Sequence, residues 1–279
     1  MNLQGKTIVL TGASGGIGQA IAIQLAEHGA RLILVGRNTP LLAEIARRLR
    51  ENPAQHCILS LDLEKPEGLE ELVNFCHGLP DGIDVLINNA GVCDFSFLED
   101  VSVDTINQVI NLNLTTPIML TFKLLPLLKE SKHGVVVNIG SVLGAIGNPG
   151  YSIYCASKAG LSRFSESLRR ELADSHINIL HINPRATATE MNPAAVNAMN
   201  AELGIVTDPP LRVATQLLTR ILEDNFSETS IGWPERLYIK INALIPQLVD
   251  KSFARNLPIV KRHARARHSA LENIADNLT

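Results

Sequence analysis

Short apolar runs rich in Ile, Val and Leu recur along the chain with longer segments of helical period between them, and no other feature narrows its fold as far. The runs lie at 7–10, 31–35, 56–61, 85–87, 134–139 and 178–182, and helical patterns at 17–28, 40–51, 66–78, 103–129 and 153–174 fill the intervals. Strands that are apolar throughout are buried on both faces, and strands joined by helical crossovers run parallel. The sequence therefore predicts an α/β fold, a doubly wound parallel sheet of the Rossmann type. A further helix is read at 209–223, after which only 230–232 remains to supply a seventh strand.

The pattern changes after Gly232, so 1–232 is read as one unit and 233–279 as a helical appendage. Leu237, Ile241, Leu244, Ile245, Leu248, Val249 and Phe253 recur at three- and four-residue spacing, giving an amphipathic helix that Pro246 must kink or break. Residues 269–279 carry no strong signal and are expected to fray. The net charge of −3 hides an asymmetry. Lys251, Arg255, Lys261, Arg262, Arg265 and Arg267 put six cations and no acid into 251–268, which leaves −9 on the rest of the chain. That excludes a generally basic surface for nucleic acid. Three readings of the basic run stand: its apolar stripe packs on the substrate cover or on a neighbouring subunit, its charges are a solvated end, or they touch an anionic membrane.

With 46% hydrophobic and 19% charged residues the chain can bury a sizeable core, and no run of 18 apolar residues offers a membrane span. A polar start leading straight into a strand leaves no room for a signal peptide, and Cys57, Cys76, Cys93 and Cys155 lack CxxC spacing. A cytoplasmic chain without disulfides is expected. The eight histidines have no metal-ligand spacing, so no metal site is expected.

The first strand runs into Thr11-Gly12-Ala13-Ser14-Gly15-Gly16-Ile17-Gly18 and then into a helix. A strand, a glycine turn and a helix N-terminus present free backbone N–H groups and the positive end of the helix dipole, a site for pyrophosphate. The spacing is GxxxGxG rather than GxGxxG, and no P-loop lysine comes after it. At the end of the second strand, where NAD sites place an acid, stands Arg37, followed by Asn38. A basic residue there pairs with a 2′-phosphate and points to NADP; alternatively Arg37 is a solvated residue before a helix that Asn38 or Thr39 caps. Tyr154 and Lys158 are one helical turn apart and share a face, and an ammonium close to a phenol favours its ionised form. Ser141 lies just beyond the fifth strand at its carboxyl end, where ligands bind in this architecture.

Together with Asn88-Asn89-Ala90-Gly91 and Asn113, these motifs resemble the short-chain dehydrogenase/reductase family over residues 3–191. The resemblance implies that Tyr154 is the general acid of reduction, that Lys158 lowers its pKa and holds the nicotinamide ribose, that Ser141 hydrogen-bonds the substrate carbonyl, and that Asn113 anchors a water linking Lys158 to solvent. It also implies cofactor contacts for Gly12, Ser14, Gly15, Gly16, Ile17, Gly18, Asp62, Leu63, Asn89, Ala90, Gly91, Thr187 and Thr189. In Asn183-Pro184-Arg185-Ala186-Thr187-Ala188-Thr189 the chain departs from the family, because Arg185 stands where a glycine is usual. Two readings of Arg185 stand: it reaches an anionic group on cofactor or substrate, or it faces solvent. An NADPH-dependent oxidoreductase acting on an apolar carbonyl or alcohol is implied, with Ala-, Met-, Leu- and Val-rich residues 191–206 covering the substrate. A homodimer or homotetramer is implied as well. The alternative is a non-catalytic, redox-sensing NADP-binding protein on the same fold.

Overall fold

A computed structural model describes residues 1–49 and 56–276. The chain forms β1 (Thr7–Thr11), α1 (Gly16–Glu27), β2 (Arg31–Gly36), α2 (Thr39–Leu49), β3 (Cys57–Ser60), α3 (Pro66–His77), β4 (Val85–Asn88), α4 (Val103–Ile110), α5 (Thr116–Glu130), β5 (Val135–Ile139), α6 (Ser152–Glu171), β6 (Asn178–Asn183), α7 (Ala194–Glu202), α8 (Pro210–Leu222), β7 (Thr229–Ser230), α9 (Glu235–Leu244) and α10 (Pro246–Asp276). The predicted end of the second helix, 50–51, lies outside the described residues.

The sheet is parallel throughout, in the order β3-β2-β1-β4-β5-β6-β7. The order reverses between β1 and β4, where β1 ends on one side and β4 continues on the other, and a crevice must open outside their carboxyl ends. Alternate residues of each strand point to opposite faces. Ile8, Leu10, Leu32 and Leu34 enter a core with α1, α2 and α8, whereas Val9, Ile33, Val35 and Leu86 enter a second core with α3 and α5. Double burial is why these strands carry no polar alternation.

Three elements differ from the sequence reading. The pattern at 103–129 is not one helix: the chain makes a π-turn at Asn111–Thr115 between α4 and α5, which rotates α5 relative to α4 without breaking the column. The seventh strand is Thr229–Ser230, not 230–232, and pairs with Ile182 and Asn183. The C-terminal helix does not fray from 269 but continues through Asp276, beginning at Pro246. Pro246 opens α10 where its missing N–H costs nothing, and α9 ends at Leu244, with Ile245 between the two helices.

Candidate active site

A cavity of about 930 Å³ fills the crevice, running from the glycine turn at one end to α9 and α10 at the other. Gly12 has φ +63°, and a Cβ on it would sit 2.7 Å from the Ala90 Cα; a Cβ on Gly18 would sit 2.2 Å from the Gly12 carbonyl oxygen. Only glycine allows this turn to pack so closely against β4 and α1. No side chain caps Gly15, so the first N–H groups of α1 stay open to the cavity that Gly15, Gly16, Ile17 and Gly18 line. An uncapped helix start beside a backbone cradle fits the pyrophosphate of a dinucleotide.

The turn is held from behind. Thr11 Oγ1 accepts from the Asn89 and Ala90 N–H groups, both at 3.0 Å, and Asn89 Nδ2 donates to the Thr11 and Gly12 carbonyls at 3.0 Å. Asn89, Ala90 and Gly91 border the cavity, but the Asn89 amide is engaged in fixing the turn. The resemblance gave no role to Thr11; its signal was a threonine at the end of a buried apolar strand.

Arg37, Asn38, Asp62 and Leu63 line the same end. Arg37 is 57% exposed and donates to Glu64 Oε1 at 2.8 Å, and Gln108 donates to the same carboxylate. Asn38 Oδ1 accepts from the Leu41 N–H at 3.0 Å, so its side chain caps α2. Asp62 Oδ1 accepts from the Glu64 N–H and the Leu63 carbonyl accepts from Thr116 Oγ1, which fixes the loop after β3.

Ser141, Tyr154 and Lys158 meet at the middle of the cavity. Ser141 caps a short 3₁₀ turn, its Oγ accepting from the Leu143 N–H at 3.1 Å, and its backbone N–H donates to Asn183 Oδ1 at 3.1 Å. The Lys158 ammonium donates to the Ile139 carbonyl at 2.9 Å and stands 5.8 Å from the Tyr154 ring centre. Burial pulls Lys158 down to about 8, and the nearby Cys93 opposes this weakly. Burial also raises the Tyr154 phenol well above its ordinary value, Cys93 adds to the rise, and a hydrogen bond with Ser141 offsets part of it. Desolvation is the leading cause of the rise, and Lys158 is not among the groups that offset it.

Asn113 is fully buried in the π-turn and does not line the cavity. Its Oδ1 accepts from the Val92 N–H, and its Nδ2 donates to the Val92 carbonyl and to Ser157 Oγ. The amide ties the loop after β4 to α6, the helix that carries Lys158.

A buried polar chain crosses the sheet beneath Ser141, and the sequence reading missed it. Asn88 donates to Asn138, Asn138 to Ser165, Ser165 Oγ pairs with His181 Nδ1, and His181 Nε2 pairs with Asn183 Oδ1, all within 3.0 Å. The available signal was polar residues at register-matched ends of buried strands: Asn88 opposite Asn138, and Asn138 opposite His181.

The solvent-facing reading of Arg185 fails, and its guanidinium is engaged within the chain although the residue borders the cavity. Its side chain is 7% exposed; Nε and Nη2 donate to the Asp208 carboxylate at 2.9 and 2.7 Å, and Nη1 donates to Glu235 of α9. Room for it comes from Gly232, where a Cβ would lie 2.8 Å from the Arg185 Cδ. Arg185 thus joins the β6 loop to the appendage. Thr187 donates to the Arg185 carbonyl, and the Thr189 methyl would lie 3.0 Å from a Cβ on Gly16, so this loop borders the glycine turn.

At the far end α7 and α10 close the cavity. Val196, Met199, Val260 and Ala264 pack with Phe95 and Tyr151 around Tyr154. Part of the basic run is spent here: Arg262 and His263 bind Glu202 of α7, and Arg267 donates to Asp94 Oδ1 at 2.8 Å and to the Phe95 carbonyl. Of the three readings of the appendage, packing over the substrate end accounts for its inward face.

A nucleotide-binding doubly wound sheet with a Ser, Tyr and Lys cluster at its crevice defines the class as a dinucleotide-dependent oxidoreductase. The short chain dehydrogenase family matches residues 6–200, and the chain belongs to that family. The 3-oxoacyl-acyl-carrier-protein reductase FabG of Vibrio harveyi is 34% identical over 215 residues, covering 75% of this chain and 87% of its own. A short-chain dehydrogenase from Sphingobium yanoikuyae in complex with NADPH superposes with TM-score 0.75 at 28% identity, over 88% of this chain and 95% of that one. A Burkholderia phymatum short chain dehydrogenase/reductase in complex with NAD has TM-score 0.80 at 22% identity, over 89% of this chain and 96% of that one, and so shares the fold. Among the described residues no cluster of His, Cys, Asp and Glu can hold a metal, and no helix is long and apolar enough to cross a membrane.

Proposed function

We propose that the chain is an NADPH-dependent reductase of an apolar carbonyl compound, or the reverse alcohol dehydrogenase, with 1–232 carrying the chemistry and 233–276 walling the substrate chamber. The observation that carries this reading is the convergence of a tyrosine phenol, a buried lysine and a serine hydroxyl on one cavity whose far wall is apolar. The nicotinamide supplies the hydride. A carbonyl oxygen gaining negative charge needs a positioned proton, and Tyr154 holds one because burial disfavours its phenolate. Ser141 orients the same oxygen, its backbone fixed by Asn183. Lys158, charged below about pH 8, binds the ribose hydroxyls and supports the developing charge. Gly12, Ser14, Gly15, Gly16, Ile17 and Gly18 hold the pyrophosphate, Asp62 and Leu63 border the adenine, Asn89, Ala90 and Gly91 back the adenosine half, and Thr187 and Thr189 flank the nicotinamide half. Arg37 selects the 2′-phosphate, in keeping with the NADPH complex of a relative. A homodimer or homotetramer is part of the reading, and exposed Phe122 and Met119 on α5 are apolar surface a partner would cover.

A screen of carbonyl substrates against NADPH and NADH, read by nicotinamide absorbance, tests it. Tyr154→Phe should leave NADPH binding nearly intact while turnover falls by orders of magnitude. Turnover within a few-fold of the parent would remove Tyr154 as the acid.

A further inference from the structure

The junction of α9 and α10 is an apolar tip that nothing among the described residues covers. Residues 243–248 are all exposed, with Leu244 at 81%, Ile245 at 55% and Leu248 at 57%. Five of these six residues are apolar. A soluble helix hides its apolar stripe; here the stripe continues past the last inward contact and out into solvent.

Cations succeed the apolar tip along both helices. On α9, Leu244, Lys240 and Arg236 are spaced at four residues and share a face; on α10, Leu248, Lys251 and Arg255 are spaced at three and four and share another. Each series starts apolar at the junction and becomes cationic about 4.5–6 Å further along the axis, at 1.5 Å per residue. Arg236, Lys240, Lys251 and Arg255 are exposed, and among the described residues no carboxylate pairs with them. Asp250 is the one acid on either helix between Arg236 and Arg255, since Glu235 is committed to Arg185. The same helices turn Ile241, Val249 and Phe253 into the chamber, and Leu248, though 57% exposed, borders it as well, so Leu244 and Ile245 are the apolar residues that face solvent alone.

We infer that this tip docks on an anionic lipid bilayer, with Leu244 and Ile245 below the headgroups and the four cations among them. The depth agrees: an interfacial segment buries its apolar face about 5–10 Å, and the cations lie at that boundary. Long cationic side chains place their charge at the headgroups while their stems stay apolar. A second copy of this chain fits the surface poorly. A twofold contact would set the same four cations against one another with Asp250 as the only counter-charge. An acidic hydrophilic partner would satisfy the cations but leave the apolar tip wet. The basic residues nearer the C-terminus contribute less, because Arg262 and Arg267 are bound within the chain. The inference does not depend on the proposed reaction, and its test needs no turnover.

The full chain is mixed with vesicles of phosphatidylcholine alone or with a third of phosphatidylserine, at low and high salt, and sedimented. Leu244→Asp/Ile245→Asp is compared, as neither residue lines the chamber, and circular dichroism verifies its fold. Binding to the anionic vesicles is expected to be at least tenfold stronger than to the neutral ones and to weaken with salt. The double variant is expected to lose at least tenfold, and Lys240→Gln/Lys251→Gln several-fold on anionic vesicles only. Failure of the parent to sediment with anionic vesicles, or equal sedimentation of parent and Asp variant, overturns the inference. So does a concentration-dependent dimer in ultracentrifugation that the Asp variant abolishes, since the tip would then be a contact between copies.

Discussion

Arg37 is bound to the Glu64 carboxylate, which a 2′-phosphate would have to displace if the proposed NADPH reading holds. An exposed pair of this kind contributes about 0–1 kcal/mol, whereas a charge-assisted bond to phosphate contributes about 1.5–3 kcal/mol, so the exchange favours the phosphate. Arg37→Ala is expected to weaken NADPH at least tenfold with little change for NADH, and Glu64→Gln to strengthen NADPH by up to several-fold. Titrations of both cofactors check this; equal changes for both would mean that Arg37 does not read the phosphate. His181 provides a pH test. Burial lowers it to about 4, against a partial rise from the Glu228 charge and the Asn183 hydrogen bond. The native chain keeps it neutral, while the unfolded chain takes up a proton below about 6.5. Stability should therefore fall between pH 6.5 and pH 4, by about 3 kcal/mol in all. Asp84 and Asp208, held below the ordinary carboxylate value, lose their contribution only at lower pH. Urea unfolding of the parent and of His181→Asn across this window separates them, and an unchanged slope in the variant would count against His181. The glycine turn, Tyr154, Lys158 and Ser141 were legible because each carries a type and a spacing. The direction of the Tyr154 shift was not, since no spacing reports how much solvent a fold removes.

At the scale of elements, strand positions could be read from apolar runs because a doubly buried strand has few other compositions available. The π-turn at Asn111–Thr115 left no trace, because one extra residue in a turn keeps the helical period on either side while re-aiming Asn113 toward Val92 and Ser157. Arg185 was misread for a related reason: its partners Asp208 and Glu235 lie 23 and 50 residues away, so no local pattern announces them. Burial alone would raise Asp208, but hydrogen bonds and charges from Arg185 and Arg212 outweigh it and keep the carboxylate ionised. Removing one member of such a set leaves buried charge uncompensated, at a cost of about 3–5 kcal/mol. Arg212 remains beside Asp208, so Arg185→Met is expected near the lower end, about 3 kcal/mol, in denaturant unfolding. Glu235→Gln should cost less, because Glu235 is partly exposed and takes the longer bonds. A loss under 1 kcal/mol for Arg185→Met would show the cluster to be replaceable by apolar packing.

For the whole molecule, the appendage is a bridge fixed at both ends across the mouth of one cavity. Arg185 holds α9 at Glu235, and 32 residues further along the chain Arg267 holds α10 at Asp94 and the Phe95 carbonyl, with Arg262 and His263 reaching α7 through Glu202. Between the anchors Val249, Phe253 and Val260 line the same chamber as Tyr154, so a shift of the segment between them would change the space a bulky substrate has there. The Arg267 anchor is the natural one to yield. Its partners lie on a loop between β4 and α4, whereas Arg185 is buried beneath the cofactor-side loop. Asp94→Asn removes the charge from this anchor but preserves its shape, and both Arg267 and Asp94 are largely buried, so a loss of about 1–3 kcal/mol of local stability is expected. That amount is small against the stability of a whole domain but large against a local opening. Amide hydrogen exchange over 250–267 should accelerate by tenfold or more while β1 and β5 stay protected. With an apolar substrate in hand, KM should change by several-fold with kcat held within about twofold, because Tyr154, Lys158 and Ser141 keep their own supports. Exchange in 250–267 that matches the parent would mean the bridge is held by the apolar packing of Val260 and Ala264 alone.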